Sequence, residues 1–293
     1  MPVHDDLGHR MKEYYEQIPK TKLMRRTPVI IRIDGKAFHS FTKGFKRPFD
    51  DVLIESMQQT MKYLCENIQG CVLGYHQSDE ISLVLVDYQK FTSDAWFDYE
   101  VQKICSIAAS MATMAFNKYF SSNVQNFGFY CCYDPINDNL GDEIVPSREQ
   151  DWKRYEDTYL KVLKSAMFDA RCFNIPKEEV TNYIYWRQLD ATRNSIQMVG
   201  QANFSHKQLH GKSCNQIQDM LMTHKGINWN DYPIYQKRGS CCVKEIYSTV
   251  DLNTYTGSID AITRTRWIID KEIPIFKGED RNYIDKLIYV GEE

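Results

Sequence analysis

No stretch of this sequence approaches the roughly 18 consecutive apolar residues of a membrane-spanning helix, so no transmembrane segment is expected. Its nine cysteines contain no Cys-x-x-Cys pair. An odd count without paired spacing argues against a disulfide framework and for a reducing compartment. Several of these cysteines sit inside apolar patterns, where a free thiol behaves as a small hydrophobe. There is no internal repeat and no low-complexity linker. The N-terminal stretch MPVHDDLGHRMKEYYEQ carries acids as well as bases, which fits neither a secretory signal nor a transit peptide. A cytoplasmic location is therefore expected. A strongly basic balance is also missing, since the net charge is −3, and this excludes a uniform nucleic-acid-binding coat.

What is present is an ordinary globular composition, 293 residues with 43% hydrophobic and 13% aromatic side chains, enough for a substantial core. The charge is unevenly spread. Residues 1–50 hold 11 Lys and Arg against 6 Asp and Glu, and residues 201–250 hold 6 against 3. Residues 131–160 run the other way, 3 against 8. Two basic regions and one acidic stretch are compatible with a polyanion held on one face.

Periodicity sets out the elements. A surface helix is expected over residues 5–18, and the β-branched run 27–34 reads as a strand, opened by Pro28 and closed by Gly35. Residues 50–66 read as a helix with an Asp at its N-cap. Two apolar runs, 71–75 and 81–86, flank the polar turn His76-Gln77-Ser78-Asp79-Glu80 and predict a β-hairpin. A helix is expected over 98–119, where Val101, Ile104, Cys105, Ala108, Ala112 and Ala115 recur at helical spacing. A strand follows at 127–133, a loop at 134–149 and a helix at 151–164. A strand at 168–174 and a helix at about 177–194 complete the series. This order predicts an α+β fold, an antiparallel sheet covered on one face by helices, with further helical and strand elements towards the C-terminus.

Alternation along residues 31–34 sends Ile31 and Ile33 to one side and Arg32 and Asp34 to the other. A carboxylate thus leaves the end of the strand beside an arginine, and Gly35 lets a ligand approach the backbone. If the hairpin pairs beside this strand, Asp79 and Glu80 come to the same sheet edge as Asp34. Carboxylates so gathered repel one another unless cations bridge them, and Mg²⁺, which keeps phosphates and waters as further ligands, suits such a pair. Two such ions can stabilise an in-line phosphoryl displacement. The plainer alternative is a turn-forming Asp and a solvated hairpin tip. Against it stand the two apolar strands around Ser78-Asp79-Glu80, and Arg32 and Lys36 beside Asp34. His206, His210 and Cys214 are spaced by four, but Gly211 interrupts them and no fourth ligand is evident, so no zinc site is expected.

Arg32-Ile33-Asp34-Gly35, Phe38-His39-Ser40-Phe41 and Gln77-Ser78-Asp79-Glu80 together resemble the signatures of the tRNA(His) guanylyltransferase superfamily. So do Phe168-Asp169-Ala170-Arg171, Tyr185-Trp186-Arg187-Gln188-Leu189-Asp190, Leu209-His210-Gly211-Lys212 and Lys237-Arg238-Gly239. Several spaced motifs in the right order are far more specific than one short pattern. The resemblance, from about residue 25 to 245, implies a polymerase-like palm that adds nucleotides in the 3′–5′ direction to a tRNA 5′ end. It implies ATP and GTP as substrates and two Mg²⁺ ions held by Asp34, Asp79 and the Gly35 carbonyl, with Glu80 beside them as a third catalytic residue. Nucleotide contacts would fall to Arg32, Lys36, Ala37, Phe38, His39, Arg47, Ser78 and Lys103. RNA contacts would fall to Arg171, Arg187, Asp190, Asn194, Lys212, Lys237 and Arg238. The resemblance also implies one catalytic unit, with the palm at about 25–190, a tRNA-contacting part at about 191–293, and a homotetramer.

Physical reasoning adds to this at two places. Lys103 falls in the first turns of a helix, where ammonium and positive helix end can face phosphate together. Arg187, Asp190 and Asn194 form one polar stripe, read without the resemblance as a solvated face. Enzymes of the family that act on tRNA(His) carry His-Ile-Asn-Asn-Leu-Tyr-Asn after the helix Asp. Here the run is Ala191-Thr192-Arg193-Asn194-Ser195-Ile196-Gln197. That departure, with Arg-Pro-Phe-Asp at residues 47–50, resembles the branch that repairs 5′-truncated tRNAs by templated addition. The alternative activity is addition of a single G to tRNA(His). An alternative of another class is a non-catalytic RNA-binding protein, which has no need of clustered carboxylates near RNA. A nucleotidyl cyclase is a weaker reading.

Overall fold

Val29 to Ile33, behind Pro28, is apolar and β-branched except for Arg32, and it becomes the second strand of a six-stranded sheet. The computed structural model describes residues 6–132, 146–252 and 259–290. In chain order the elements are α1 (Asp6–Met11, continued by a π-helical turn, Lys12–Glu16), β1 (Val29–Gly35), α2 (Phe38–Phe41) and α3 (Asp51–Asn67). Next are β2 (Cys71–Gln77), β3 (Glu80–Leu85), α4 (Val101–Cys132), α5 (Pro146–Val162), β4 (Phe168–Asn174) and α6 (Lys177–Asn203). The chain continues with α7 (His206–Leu209), α8 (Cys214–Lys225), α9 (Ile234–Arg238), β5 (Ser240–Leu252), β6 (Ile259–Asp270) and α10 (Asn282–Ile288). The strand order is β4-β1-β3-β2-β5-β6, and every neighbouring pair is antiparallel.

The expected antiparallel sheet is present, but helices cover both of its faces rather than one. Ile31, Ile33, Leu83 and Leu85 pack with Met57, Met61, Ile104, Ala108 and Phe116 of α3 and α4. Ile30, Val84 and Tyr75 pack on the other side with Val180 and Ile184 of α6 and Ile284 and Ile288 of α10. This explains why β2 and β3 are buried along their whole length instead of alternating. Ala108 and Ala112 let α4 lie close to the sheet, as their size predicts.

Three expected boundaries move. The strand expected at 127–133 is the end of α4, which runs on to Cys132. Phe127 suits a strand by propensity, yet its ring packs 6.0 Å from Trp152 and 6.1 Å from Tyr159 of α5, and that helix–helix contact decides the conformation. Of the expected loop, residues 134–145 lie outside the described residues, and 146–149 open α5. Helix α6 extends past residue 194 to Asn203, so the expected division near residue 190 falls inside one helix. β5 lies beyond that division and still pairs with β2. No helix among the described residues is long and apolar enough to cross a membrane.

Candidate active site

The β2–β3 hairpin turns on two residues, Ser78 and Asp79, with Ser78 in the left-handed region at φ +53°. A buried histidine holds this turn. The carbonyl of Ser78 accepts a hydrogen bond from His76 Nε2 at 3.0 Å, and His76 Nδ1 lies 3.5 Å from Ser240 Oγ. Ser240 in turn accepts from Gln58 Nε2 at 3.1 Å. Burial lowers the His76 pKa to about 4, so the ring is neutral and donates only through Nε2. Across the turn, the Gly35 N–H donates to the Asp79 carbonyl at 3.1 Å and ties the hairpin tip to the end of β1.

Strand register then lines up three acids. Asp34 on β1 lies opposite Glu80 on β3 and opposite Asp169 on β4. Directly opposed like charges destabilise a sheet, so each needs a partner. Glu80 has two. Arg187 of α6 donates to it twice, at 2.7 and 2.8 Å, and Arg32 donates at 2.6 Å. Burial still pushes the Glu80 carboxyl above its usual range, outweighing both arginines. Asp169 accepts from Arg171 at 3.1 Å. Among the described residues, Asp34 has no ion pair or side-chain hydrogen bond, and Asp79 has no ion pair. Burial, and next to it the charge of Asp34, raises the Asp79 pKa. An uncompensated pair of hard oxygen donors is the donor set that fits a divalent cation. Among the described residues no three acid, His or Cys side chains converge to hold a metal ion. Any ion would therefore rest on Asp34, Asp79 and main-chain or substrate oxygens.

Beside Asp79 opens a cavity of about 450 Å³, lined by Phe38, His39, Ser78 and the Thr42–Pro48 loop with its cations Lys43, Lys46 and Arg47. The loop is pinned by Asp50, which caps α3 through Leu53 N at 2.9 Å and accepts from Lys46 N at 3.0 Å. Ala37 adopts φ +55° to start α2, which sends Phe38 under β1 and His39 outward. A side chain at Gly35 would place its Cβ 2.3 Å from the Phe38 ring. The glycine expected to admit a ligand is thus required by packing. A second cavity of about 410 Å³ adjoins the first through Arg47 and Gln201 and includes His206, His210 and Lys212.

The residues expected to contact RNA do not all face outward. Arg187 is buried on Glu80 and reaches Asp190 at 3.0 Å, so the stripe with Asn194 is an internal network rather than a solvated face. It is not a free RNA contact. Lys237 is also buried, with its ammonium donating to the Asn230 carbonyl and standing 5.5 Å from the Trp229 ring. Burial lowers its pKa, and a phosphate could reach it only after rearrangement. Glu80 was expected to converge with Asp34 and Asp79 and is instead turned to its arginines. Lys103 is not brought to the carboxylates. The start of α4 bonds to Thr21, and Cys105 Sγ lies 3.6 Å from Cys172 Sγ, whose strand partner is Ile31. That is about 10 Å down β1 from Asp34, and the Lys103 ammonium stands 4.8 Å from the Phe97 ring. Lys36, His39, Arg47, Arg171 and Lys212 are exposed, and Arg238 is half-buried.

Sequence reasoning missed His76, Asp50 and Asp169. The first two read locally as part of a polar turn and as a helix cap, whereas His76 lies in β2 and is buried. Asp169 stood inside a quoted motif, and only the register with β1 shows it beside Asp34.

The family profile described as "Thg1: tRNAHis guanylyltransferase" matches residues 8–176. The chain is 28% identical over 247 residues to a "tRNA(His) guanylyltransferase" of Schizosaccharomyces pombe, covering 80% of this chain and 80% of the relative. Two solved structures cover 97% of this chain and 100% of their own. One is "Bacterial tRNA(HIS) Guanylyltransferase (Thg1)-Like Protein in complex with ATP", at 43% identity and TM-score 0.73. The other is the complex with GTP, at 38% identity and TM-score 0.69. With the motifs, the antiparallel sheet and the paired carboxylates already in place, these matches show that the chain belongs to the tRNA(His) guanylyltransferase family of nucleotidyltransferases.

Proposed function

We propose that this enzyme adds nucleotides in the 3′–5′ direction to the 5′ end of tRNA, using ATP and GTP, and extends 5′-truncated ends against a template. The observation that carries the reading is the unpaired Asp34–Asp79 couple at the mouth of a cavity rich in cations. A volume of about 450 Å³ suits a nucleotide. Two relatives of known structure were solved with ATP and GTP. Asp34 and Asp79 would hold Mg²⁺, with the Gly35 carbonyl as a further oxygen. Bound there, the ions would neutralise charge on the reacting phosphates.

The chain's own residues supply the rest. Lys43, Lys46 and Arg47 present positive charge to a triphosphate, and Ser78 lies where its hydroxyl can donate to a phosphate oxygen. Phe38 and His39 wall the position of a base. The buried Arg32–Glu80–Arg187 network fixes the strand end that carries Asp34 and the tip that carries Asp79. Lys212, Arg171 and Arg238 remain as contacts to the tRNA backbone, and the assembly is a homotetramer by resemblance.

A specific observation favours truncated ends over a single G on tRNA(His). Thr192 stands where those enzymes carry a histidine, and its hydroxyl donates to the Gln188 carbonyl at 2.9 Å, within its own helix. It offers no ring to a particular RNA end. End-labelled extension of 5′-truncated tRNAs and of intact tRNA(His), with each NTP, tests this. The expected result is templated extension of the truncated ends. Addition of G alone, to intact tRNA(His) alone, would select the single-addition activity. Incorporation that survives Asp34→Ala would remove the assigned site.

A further inference from the structure

The acidic stretch around residues 131–160 has no place in the chemistry described so far, yet its helix reaches the wall of the nucleotide cavity. Tyr159 of α5 is buried, and its hydroxyl donates to Asp50 Oδ2 at 2.7 Å. The same oxygen accepts from Lys46 N at 3.0 Å, while Oδ1 accepts from Leu53 N at 2.9 Å. Phe45 packs its ring 5.0 Å from Tyr159, close to perpendicular. A Cβ built on Gly44 would lie 3.2 Å from Thr158 Cγ2, so α5 also abuts the start of the loop. One carboxylate thus joins three elements, the loop carrying Lys43, Lys46 and Arg47, the first turn of α3, and α5.

The energetics favour a mechanical role. Asp50 is a buried acid whose carboxyl burial pushes upward, against three hydrogen bonds that favour the ionised form. Removing one donor from a buried carboxylate leaves it under-satisfied, and the cheapest relief is for the least packed element to move. That element is the loop, whose Lys43, Gly44, Lys46 and Arg47 are exposed. Helix α3 is held by its long contact with the sheet.

We propose that Tyr159 is a positioning residue for nucleotide binding, and that α5 serves to brace the cationic loop through Asp50. The proposal rests on the cavity being the triphosphate site. Loss of the Tyr159 hydroxyl loosens the loop, so ATP binds more weakly while the step at Asp34 and Asp79 proceeds at its usual rate.

The test measures ATP affinity by calorimetry, KM and kcat by tRNA extension, and thermal stability, on four full-length variants. Tyr159→Phe is expected to raise Kd and KM for ATP about five- to ten-fold, with kcat within about two-fold of wild type. Phe45→Leu, which weakens the ring contact and keeps every hydrogen bond, is expected to move KM in the same direction and stands in if Tyr159→Phe folds poorly. Trp152→Ala is the packing control. Trp152 sits two turns before Tyr159 in α5, roughly 10 Å along the helix, and packs against Gly128 and Phe127. It is expected to lower stability and leave KM unchanged. Arg47→Ala reports on the cavity itself. If Arg47→Ala weakens ATP binding but Tyr159→Phe and Phe45→Leu only lower stability, the bracing role is overturned and the cavity assignment stands. If Trp152→Ala raises KM as much as Tyr159→Phe, general loosening explains both and the proposal fails. If Arg47→Ala leaves ATP affinity intact, the cavity is not the triphosphate site and both readings fall.

Discussion

Replacing Asp79 by Asn tests the central electrostatic argument, because it should cripple the enzyme and stabilise the metal-free protein together. Asp79 is half-buried at the hairpin tip, without a cation partner, next to the charge of Asp34. Repulsion between two like charges at a partly exposed sheet edge is on the order of 1 kcal/mol. For a chain of this size that is about 2 °C in Tm. The sign follows from the raised pKa. A carboxyl whose folded pKa lies above its unfolded value contributes stability below the unfolded pKa and loses it as pH rises through the folded one. Wild-type protein in EDTA therefore carries the repulsion at pH 7 and sheds it near pH 4. The variant should unfold about 1 kcal/mol later in urea at pH 7, and the gain should vanish near pH 4. Millimolar Mg²⁺ should stabilise the wild type and leave the variant unchanged, and tRNA extension by the variant should fall by at least ~10²-fold. A variant less stable than wild type at pH 7, or equally favoured at pH 4, would refute the reasoning even if activity were lost.

Other outcomes follow from the same geometry. Arg187→Met leaves Glu80 buried with only Arg32 beside it, and should cost about 3 kcal/mol in chemical denaturation. A loss below about 1 kcal/mol would mean that Arg32 alone satisfies the carboxylate. His76 is neutral when folded, with its pKa lowered from 6.5 to about 4. Its contribution is complete above the unfolded pKa and is lost as pH falls towards the folded one, so it tilts the stability curve by about 3 kcal/mol over that window. His76→Gln should flatten that slope relative to wild type, and parallel curves would count against the assignment. Lys212→Ala should lower tRNA affinity and reduce the magnitude of the salt slope by about one, as for a lost phosphate contact. Lys237→Ala should instead lower stability with the slope unchanged, since its ammonium is spent on Asn230.

The sequence by itself determined the parts whose signals are local. The apolar run before Asp34, the hairpin around Ser78 and Asp79, and the Asp50 cap of α3 all follow from short-range pattern and turn chemistry, and the structure has them in place. Motif order was enough to point to the family. Tertiary structure decided what each charged side chain meets. Glu80 and Arg187 are 107 positions apart, and nothing in either segment says that they form one buried pair. The same holds for Lys237, which local reading leaves on the surface, and for Lys103, whose helix begins at the wrong level of the sheet. Phe127 turned helical because Trp152 and Tyr159 were there to receive it. Periodicity reports which face of an element is apolar. The burial and pairing of a charge depend on which distant element packs against it, because the cost of desolvation is fixed only once that neighbour is in place.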